Sequence, residues 1–430
     1  MTAEVAIANA SAVALAADSA VTIGGQKIYN SALKLFSLSK IAPVGVMIYG
    51  NAGLLHVPWE TLIKSFRKQL AGTTYETLEE YANDFIKYLQ NKPGIFTKEA
   101  QADWIKGNVY AYFRLLQKQM IDELKPIFEE KGEVDAEAVS KALAKVISIH
   151  RDAFEKQPYA DEMDESTFGD VREQHKDLFK LVKEQVFEEA KLSSATAAKL
   201  YDIAAFLHVK QVFSTGVSGI VIAGYGEEEL YPSIVTFDIE GVVGDRLKYR
   251  RNLDKTHKIR AGMECRIIAF AQEDMVATFM NGLNPHVLQF LQSYMNKLFD
   301  RLPELIESEA VEEEEIRKFK SQSRKLLRGF FDEFGKHISE EHANPVLRMV
   351  TALPKDELAA MAEALVNLTA FKRRMTEAIE TVGGPIDVAV ISKGDGLVWV
   401  KRKHYFPPEL NRPFFDNYFR GVRHGEEKAK

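Results

Sequence analysis

The sequence predicts an α+β protein in which strand-rich segments alternate with two long all-helical stretches. Three observations predict it. Short runs rich in alanine and β-branched residues, Glu4 to Ile7 and Val13 to Ala17, flank the turn Asn9-Ala10-Ser11 and read as two strands. A strand, an acidic turn and a strand fill Ser218 to Asp238, and a last hairpin turns at Gly394-Asp395-Gly396. Between these segments apolar residues recur three and four apart, the helical period.

Taken in order, the opening hairpin delivers Asp18-Ser19, and Gly24-Gly25 marks a further turn. Val44 to Ile48 is a short apolar strand that ends on Tyr49-Gly50-Asn51. Pro58 opens a helix with Trp59, Leu62, Ile63, Phe66 and Leu70 on one face. Leu78 to Leu89, Trp104 to Met120 and Val139 to Ile147 predict three amphipathic helices, and the charged stretch Glu173 to Glu189 a fourth. Aromatic residues at helical spacing in these segments read as core. Ser193 or Ser194 caps the next helix, which runs through Leu207. Gly224-Tyr225-Gly226 follows a strand but lacks the full glycine pattern of a dinucleotide loop, and Glu227, Glu228 and Glu229 would repel a pyrophosphate.

Ile267 to Ala271 predicts a strand leading to Gln272-Glu273-Asp274. The acidic run Glu312 to Glu315, followed by Arg317, Lys318 and Lys320, reads as a solvated helix face. His337 and His342 stand five apart and would not share a helical face, so no metal site is inferred from them. Pro354 to Leu368 predicts a helix, and Asp387 to Ile391 the first strand of the last hairpin. The tail from Lys401 to Phe419 mixes basic and aromatic residues.

Thr2 carries the first functional signal. Methionine before so small a residue is usually trimmed, which leaves Thr2 with a free α-amine beside its hydroxyl. An amine with a reference pKa near ~8 is a usable base at neutral pH, and threonine activated by its own terminal amine is an established nucleophile. Asp18 lies sixteen residues after Thr2 and Lys34 thirty-two after it. Taken singly, a threonine after the initiator, an Asp-Ser turn and a surface lysine are ordinary features.

Together they resemble something specific. Leu15-Ala16-Ala17-Asp18-Ser19, then Lys34-Leu35-Phe36, then Val46-Met47-Ile48-Tyr49-Gly50-Asn51-Ala52 resemble the catalytic β-subunit of proteasomes and the bacterial proteasome-like proteases, among the N-terminal-nucleophile hydrolases. That family has a nucleophilic threonine, an aspartate sixteen residues on and a lysine thirty-two on. The resemblance covers residues 1–74, 193–287 and 351–400, and marks 75–192 and 288–350 as helical insertions, with 351–430 closing the core and forming the tail. It implies a four-layer αββα sandwich with Thr2, Asp18 and Lys34 as catalytic residues and a backbone N–H of Tyr49 or Gly50 as the oxyanion donor. No cofactor is implied.

This sequence departs from the family in three places. Tyr49 stands where glycine is preferred. Glu273 and Asp274 stand near the position of a serine that supports the terminal amine. Glu380, Thr381 and Val382 precede Gly383-Gly384, where active members have an Asp and a Ser. The activity implied is peptide-bond hydrolysis on peptides or unfolded protein, with self-association and an unfoldase as candidate partners. Two rival readings are a non-catalytic scaffold of the same fold and an amidohydrolase acting on a small amide.

Composition narrows the classes. With 430 residues, 46% of them hydrophobic and 27% charged, the chain is long enough for two or three structural units. A net charge of -6 gives no basic face to favour nucleic acid. No run of eighteen apolar residues predicts a membrane span. A single cysteine, Cys265, excludes an internal disulfide and fits a reducing, cytoplasmic setting. The alanine-rich residues 3–17 lack a basic start, and Glu4 and Asp18 argue against a secretory signal.

Overall fold

A computed structural model describes residues 3–23, 27–91, 94–188, 192–262, 264–302, 313–376 and 383–416. The chain begins with strands β1 (Glu4–Ala8) and β2 (Val13–Ala17), joined by a turn in which the Asn9 side chain accepts from the amides of Ser11 and Ala12. A ribbon of β3 (Val21–Ile23) and β4 (Lys27–Tyr29) follows, then β5 (Leu35–Ser37) and β6 (Val44–Gly50). A second ribbon, β7 (Gly53–Leu54) and β8 (Val57–Pro58), feeds helix α1 (Trp59–Leu70), whose first helical residue comes directly after Pro58. Helix α2 (Leu78–Asn91) lies beside it.

Helices then dominate. Helix α3 (Lys98–Lys131) is 34 residues long, capped by Thr97 at its start and by Gly132 in the left-handed region at its end. It is followed by α4 (Ala136–Glu155), α5 (Glu165–Gln174), α6 (Lys176–Val186) and α7 (Ser194–Val209). Ser193 caps α7, accepting from the amide of Thr196 at 3.1 Å. The stretch read as one helix from Glu173 breaks at His175, whose φ of -107° and ψ of 14° leave the helical region. The two pieces serve different neighbours, α5 packing on α7 and α6 on α3, so a straight helix would not reach both.

Strands β9 (Ser218–Gly224), β10 (Ser233–Val243), β11 (Arg246–Arg251), β12 (His257–Lys258) and β13 (Arg266–Ala271) come next. Helices α8 (Glu273–Asn281), α9 (Pro285–Arg301), α10 (Glu313–Ile338), α11 (Asn344–Ala352) and α12 (Lys355–Arg374) precede the final hairpin of β14 (Asp387–Ser392) and β15 (Gly396–Lys401). No helix among the described residues is long and apolar enough to cross a membrane.

The strands form two antiparallel sheets, one ordered β13-β1-β2-β14-β15 and the other β11-β10-β9-β6-β5, with β12 also on β10. Alternation of side chains gives each sheet an inner and an outer face. Ala6, Val13, Leu15 and Ile391 of the first sheet meet Met47, Val221, Ala223 and Ile234 of the second in one apolar layer. On the outer face of the first sheet, Val5, Ile7, Ala14, Ala16 and Val388 pack against Leu358, Ala362, Leu365 and Val366 of α12. On the outer face of the second, Val46, Ile48, Ile220 and Ile222 pack against Trp59, Ile63 and Phe66 of α1 and Tyr81 and Phe85 of α2. Helices α3 to α7 share a separate core of their own around Phe113, Leu143, Phe179 and Ile203. The protein is thus mixed α+β with antiparallel sheets.

Between that helical core and the sheet sits His208 of α7, with no exposed surface. Its Nδ1 is 2.7 Å from the Ala204 carbonyl oxygen and its ring meets Trp104 edge-on. Burial, and then the nearby Lys248, pull its pKa down to about 3. The folded chain therefore refuses a proton that the unfolded chain accepts below about pH 6.5, and stability falls as pH drops from there toward 3. The loss between pH 7 and pH 5 is expected to be about 2 kcal/mol. Urea unfolding at the two pH values checks it: the fall should be smaller by that amount in His208→Leu, and equal falls in both proteins would exclude His208 as the source.

Candidate functional site

The site is built where β1 begins and β2 ends. Asp18 follows β2 directly and is 1% exposed. Its backbone N–H donates to the Ala3 carbonyl at 3.1 Å, which continues the β1–β2 ladder past the last strand pair. Its carboxylate is held by three backbone amides. Oδ1 accepts from Ala3 at 3.1 Å, and Oδ2 accepts from Gly383 at 2.9 Å and Ala20 at 3.3 Å. A carboxylate fixed by amides from three segments has one orientation available to it.

Lys34 lies in the loop just before β5 and is 4% exposed. Its Nζ donates to Asp18 Oδ1 and stands 3.1 Å from Glu4 Oε1. Glu4, on β1, has no exposed surface. Two residues that the sequence singled out are thus brought together in the interior, and a third charged group joins them. Thr2 lies outside the described residues. Its peptide bond to Ala3 nevertheless ties it to the amide that contacts Asp18.

The lysine backbone also organises the neighbouring strand. The Lys34 carbonyl accepts from the Ile48 amide at 2.9 Å, while the Asn51 amide donates to Val217 at 3.2 Å on the β9 side. Successive amides of a strand point to opposite edges. Gly50 therefore shares the direction of Ile48 and turns its N–H to the edge where Lys34 lies, while Tyr49 shares the direction of Asn51 and faces β9. Of the two oxyanion candidates, Gly50 is the one aimed at the site. Its φ of 78° and the Val217 carbonyl oxygen 2.4 Å from where a Cβ would stand both require glycine there.

Tyr49 turns its side chain away from that edge. The ring lies across Gly219, where a Cβ would come within 1.8 Å of it, and its centroid is 5.5 Å from that of Phe270. Its hydroxyl donates to Asp238 Oδ1 at 3.1 Å. Burial first, and Asp238 second, push the phenol pKa up, so it stays a neutral donor. Asp238 is itself held by Arg250 at 2.8 Å and Asn252 at 3.1 Å.

A pocket of about 180 Å³ opens beside Lys34 and Gly50, walled mainly by Val21, Ala32, Leu33, Ile48 and Pro58, with Glu60 at its edge. Glu60 pairs with Lys64 one turn along α1. The pocket adjoins the lysine and the amide, so a bound group would sit against both.

A second buried pair backs the first. Lys403, in the segment after β15, donates to Asp387 Oδ2 at 2.9 Å and to Ser19 Oγ at 2.5 Å, and its own amide donates to Asp387 Oδ1 at 2.8 Å. Burial above all pulls the Lys403 pKa down, against the opposite pull of Asp387. Ser19 then donates through its hydroxyl to the Pro385 carbonyl, and its amide donates to Gly383 at 3.1 Å.

The carboxylates offered in place of the family's supporting serine are engaged elsewhere. Glu273 pairs with Lys255 at 2.5 Å and Asp274 with Lys372 at 2.9 Å. Glu380 and Thr381 lie outside the described residues. Sequence reasoning missed Glu4, Asp387 and Lys403 as members of the site. Glu4 did leave a signal, a lone charge in an apolar strand, whereas Asp387 and Lys403 pair across a hairpin and leave none in the local pattern.

No protein-family profile matches the chain, and no curated protein matches it in sequence.

Proposed function

We propose that this chain is a cytoplasmic, proteasome-like threonine peptidase of the N-terminal-nucleophile class, which hydrolyses peptide bonds with Thr2 after removal of Met1. The observation that carries the proposal is the buried Lys34–Asp18 pair, tied by the Ala3 amide to the residue that follows Thr2. Two stacked sheets, each with helices on its outer face, support the αββα sandwich that goes with this reading.

In the proposed reaction the Thr2 amine, directly or through a water, takes the hydroxyl proton as the oxygen attacks a substrate carbonyl. Lys34 favours the developing alkoxide through its charge, and Asp18 fixes Lys34. The Gly50 amide receives the oxyanion, an interaction worth roughly 3 kcal/mol when such a donor is well aimed. The C–N bond breaks, and the departing amine leaves with the proton held by the Thr2 amine. Water then adds to the acyl-enzyme, giving a proton to the Thr2 amine; the ester C–O bond breaks, that proton returns to the Thr2 oxygen, and the acyl group leaves as a carboxylic acid. The apolar lining of the pocket favours a substrate with an apolar side chain next to the cleaved bond.

A volume of about 180 Å³ is small beside the ~300 Å³ and more of ordinary ligand pockets, which favours a small amide as the second reading. Intact mass of protein purified from cells, followed by a panel of peptides and small amides, tests both. Loss of Met1 with cleavage of peptides is the expected result. Cleavage confined to small amides would select the second reading. Retained Met1 with no turnover would reject both and leave an assembly role. Self-association, and an unfoldase that delivers substrate, are part of the proposal; mass photometry reads the first directly.

A further inference from the structure

We propose that Lys403 is a positioning residue of this site: from beyond the last strand it locks Ser19, and through Ser19 the turn at Gly383, in the geometry from which Asp18 holds Lys34. Its effect on turnover rests on the peptidase reading above; the geometry does not. The inference starts from a side chain whose burial stability does not require. Lys403 stands two residues past β15, where a long cation could reach water, yet its side chain is 10% exposed. Burying an ammonium beside a carboxylate gains little over well-packed apolar groups. Asp387, its partner, is 1% exposed and accepts from both ends of the same residue, the ammonium at 2.9 Å and the backbone amide at 2.8 Å. That two-point grip leaves the ammonium aimed at Ser19 Oγ, 2.5 Å away.

An ammonium only donates, so the Ser19 oxygen accepts from it and sends its own proton to the Pro385 carbonyl. The Ser19 backbone carries this fixed geometry in two directions. Its N–H donates to the Gly383 carbonyl at 3.1 Å, and its carbonyl accepts from Ala32 at 3.1 Å, in the loop that leads to Lys34. The turn held in this way is soft by itself. Gly384 has a φ of 76°, and a Cβ there would lie 2.7 Å from that of Asn30, so glycine is required and brings its backbone freedom with it. Bonds to Ser19 therefore set where the turn points. The Gly383 amide, 2.9 Å from Asp18 Oδ2, then sets how Asp18 meets the Lys34 ammonium. Burial lowers the Lys403 pKa against the pull of Asp387, and Lys34 lowers it further, which puts the two ammoniums within electrostatic reach of each other.

The test compares the full chain with Lys403→Met, Ser19→Ala and the double variant. Hydrogen exchange of single amides, read by mass spectrometry with electron-transfer fragmentation, needs no turnover. In Lys403→Met the amides of Ser19 and Gly383 are expected to exchange about tenfold faster or more, while those of α1 keep the parent rate. Ser19→Ala should speed Gly383 alike, and the double variant should add nothing further, because Lys403 acts through Ser19. If Lys403→Met does not fold, combining it with Asp387→Asn removes both charges and leaves an acceptor for the backbone amide. In peptide hydrolysis kcat should fall by about 10–10²-fold with KM near the parent's, since neither Lys403 nor Ser19 is among the residues that line the pocket. Parent-like exchange at Gly383, or additive effects in the double variant, would overturn the proposal. Faster exchange with the parent's kcat would also overturn it, by leaving Lys403 a purely structural part. A parent that cleaves nothing, with the change in exchange intact, would reject the peptidase reading and leave the lock itself standing.

Discussion

Thr2→Ala is expected to abolish peptide hydrolysis, with kcat falling by a factor on the order of 10⁶, the scale on which a serine protease responds to loss of its nucleophile. The alanine variant removes the attacking oxygen and leaves the amine, Lys34, Asp18 and the Gly50 amide in place. Folding and assembly should therefore be unchanged by thermal melting and by mass photometry. Thr2→Ser keeps an oxygen at the same atom and is expected to retain part of the activity, because the hydroxyl loses only the methyl group that restricts its rotamers. Burst kinetics with a chromogenic peptide separate acylation from hydrolysis of the acyl-enzyme. Equal rates in the parent and in Thr2→Ala would end the proposal, since no other group on this chain has been given the nucleophile's part.

The second large effect is on stability as well as rate. Lys34→Met leaves Asp18 and Glu4, both fully buried, facing each other without the ammonium between them. Breaking a buried pair by removing one partner costs about 3–5 kcal/mol, and two carboxylates are stranded here. The loss should appear as a lower denaturant midpoint at neutral pH. Turnover, if the fold survives, is expected to fall by about 10²–10⁴. Lys34→Met combined with Glu4→Gln should recover part of the stability and none of the rate. A double variant no more stable than the single one would show that Glu4 and Lys34 are not coupled.

Much of this arrangement was legible because it lies on strands. The intervals from Thr2 to Asp18 and to Lys34 carry geometric meaning only when the intervening chain is rigid. The β1–β2 hairpin and the short β5 supply that rigidity. The α1 stripe was equally readable, since Trp59, Leu62, Ile63, Phe66 and Leu70 all turn inward on one face. What was not legible depends on pairing across the fold. The choice between Tyr49 and Gly50 rests on which edge of β6 each amide faces, and this is fixed by the bond from Ile48 to Lys34 rather than by residue type. The break at His175 carries no Gly or Pro to announce it, because it comes from the different partners of α5 and α6.

The strand that carries Asp18 is flanked on one side by β1 and on the other by β14, which begins at Asp387. A ribosome delivers the first two strands early and the third only after some 390 residues. Until then β2 has an open edge, Asp18 lacks the Gly383 amide, and Ser19 lacks Lys403. Contacts of such long sequence separation form late and slowly. On the proposed reading, turnover is therefore expected only once the last hairpin has folded and the Gly383 amide and Lys403 have reached Asp18 and Ser19.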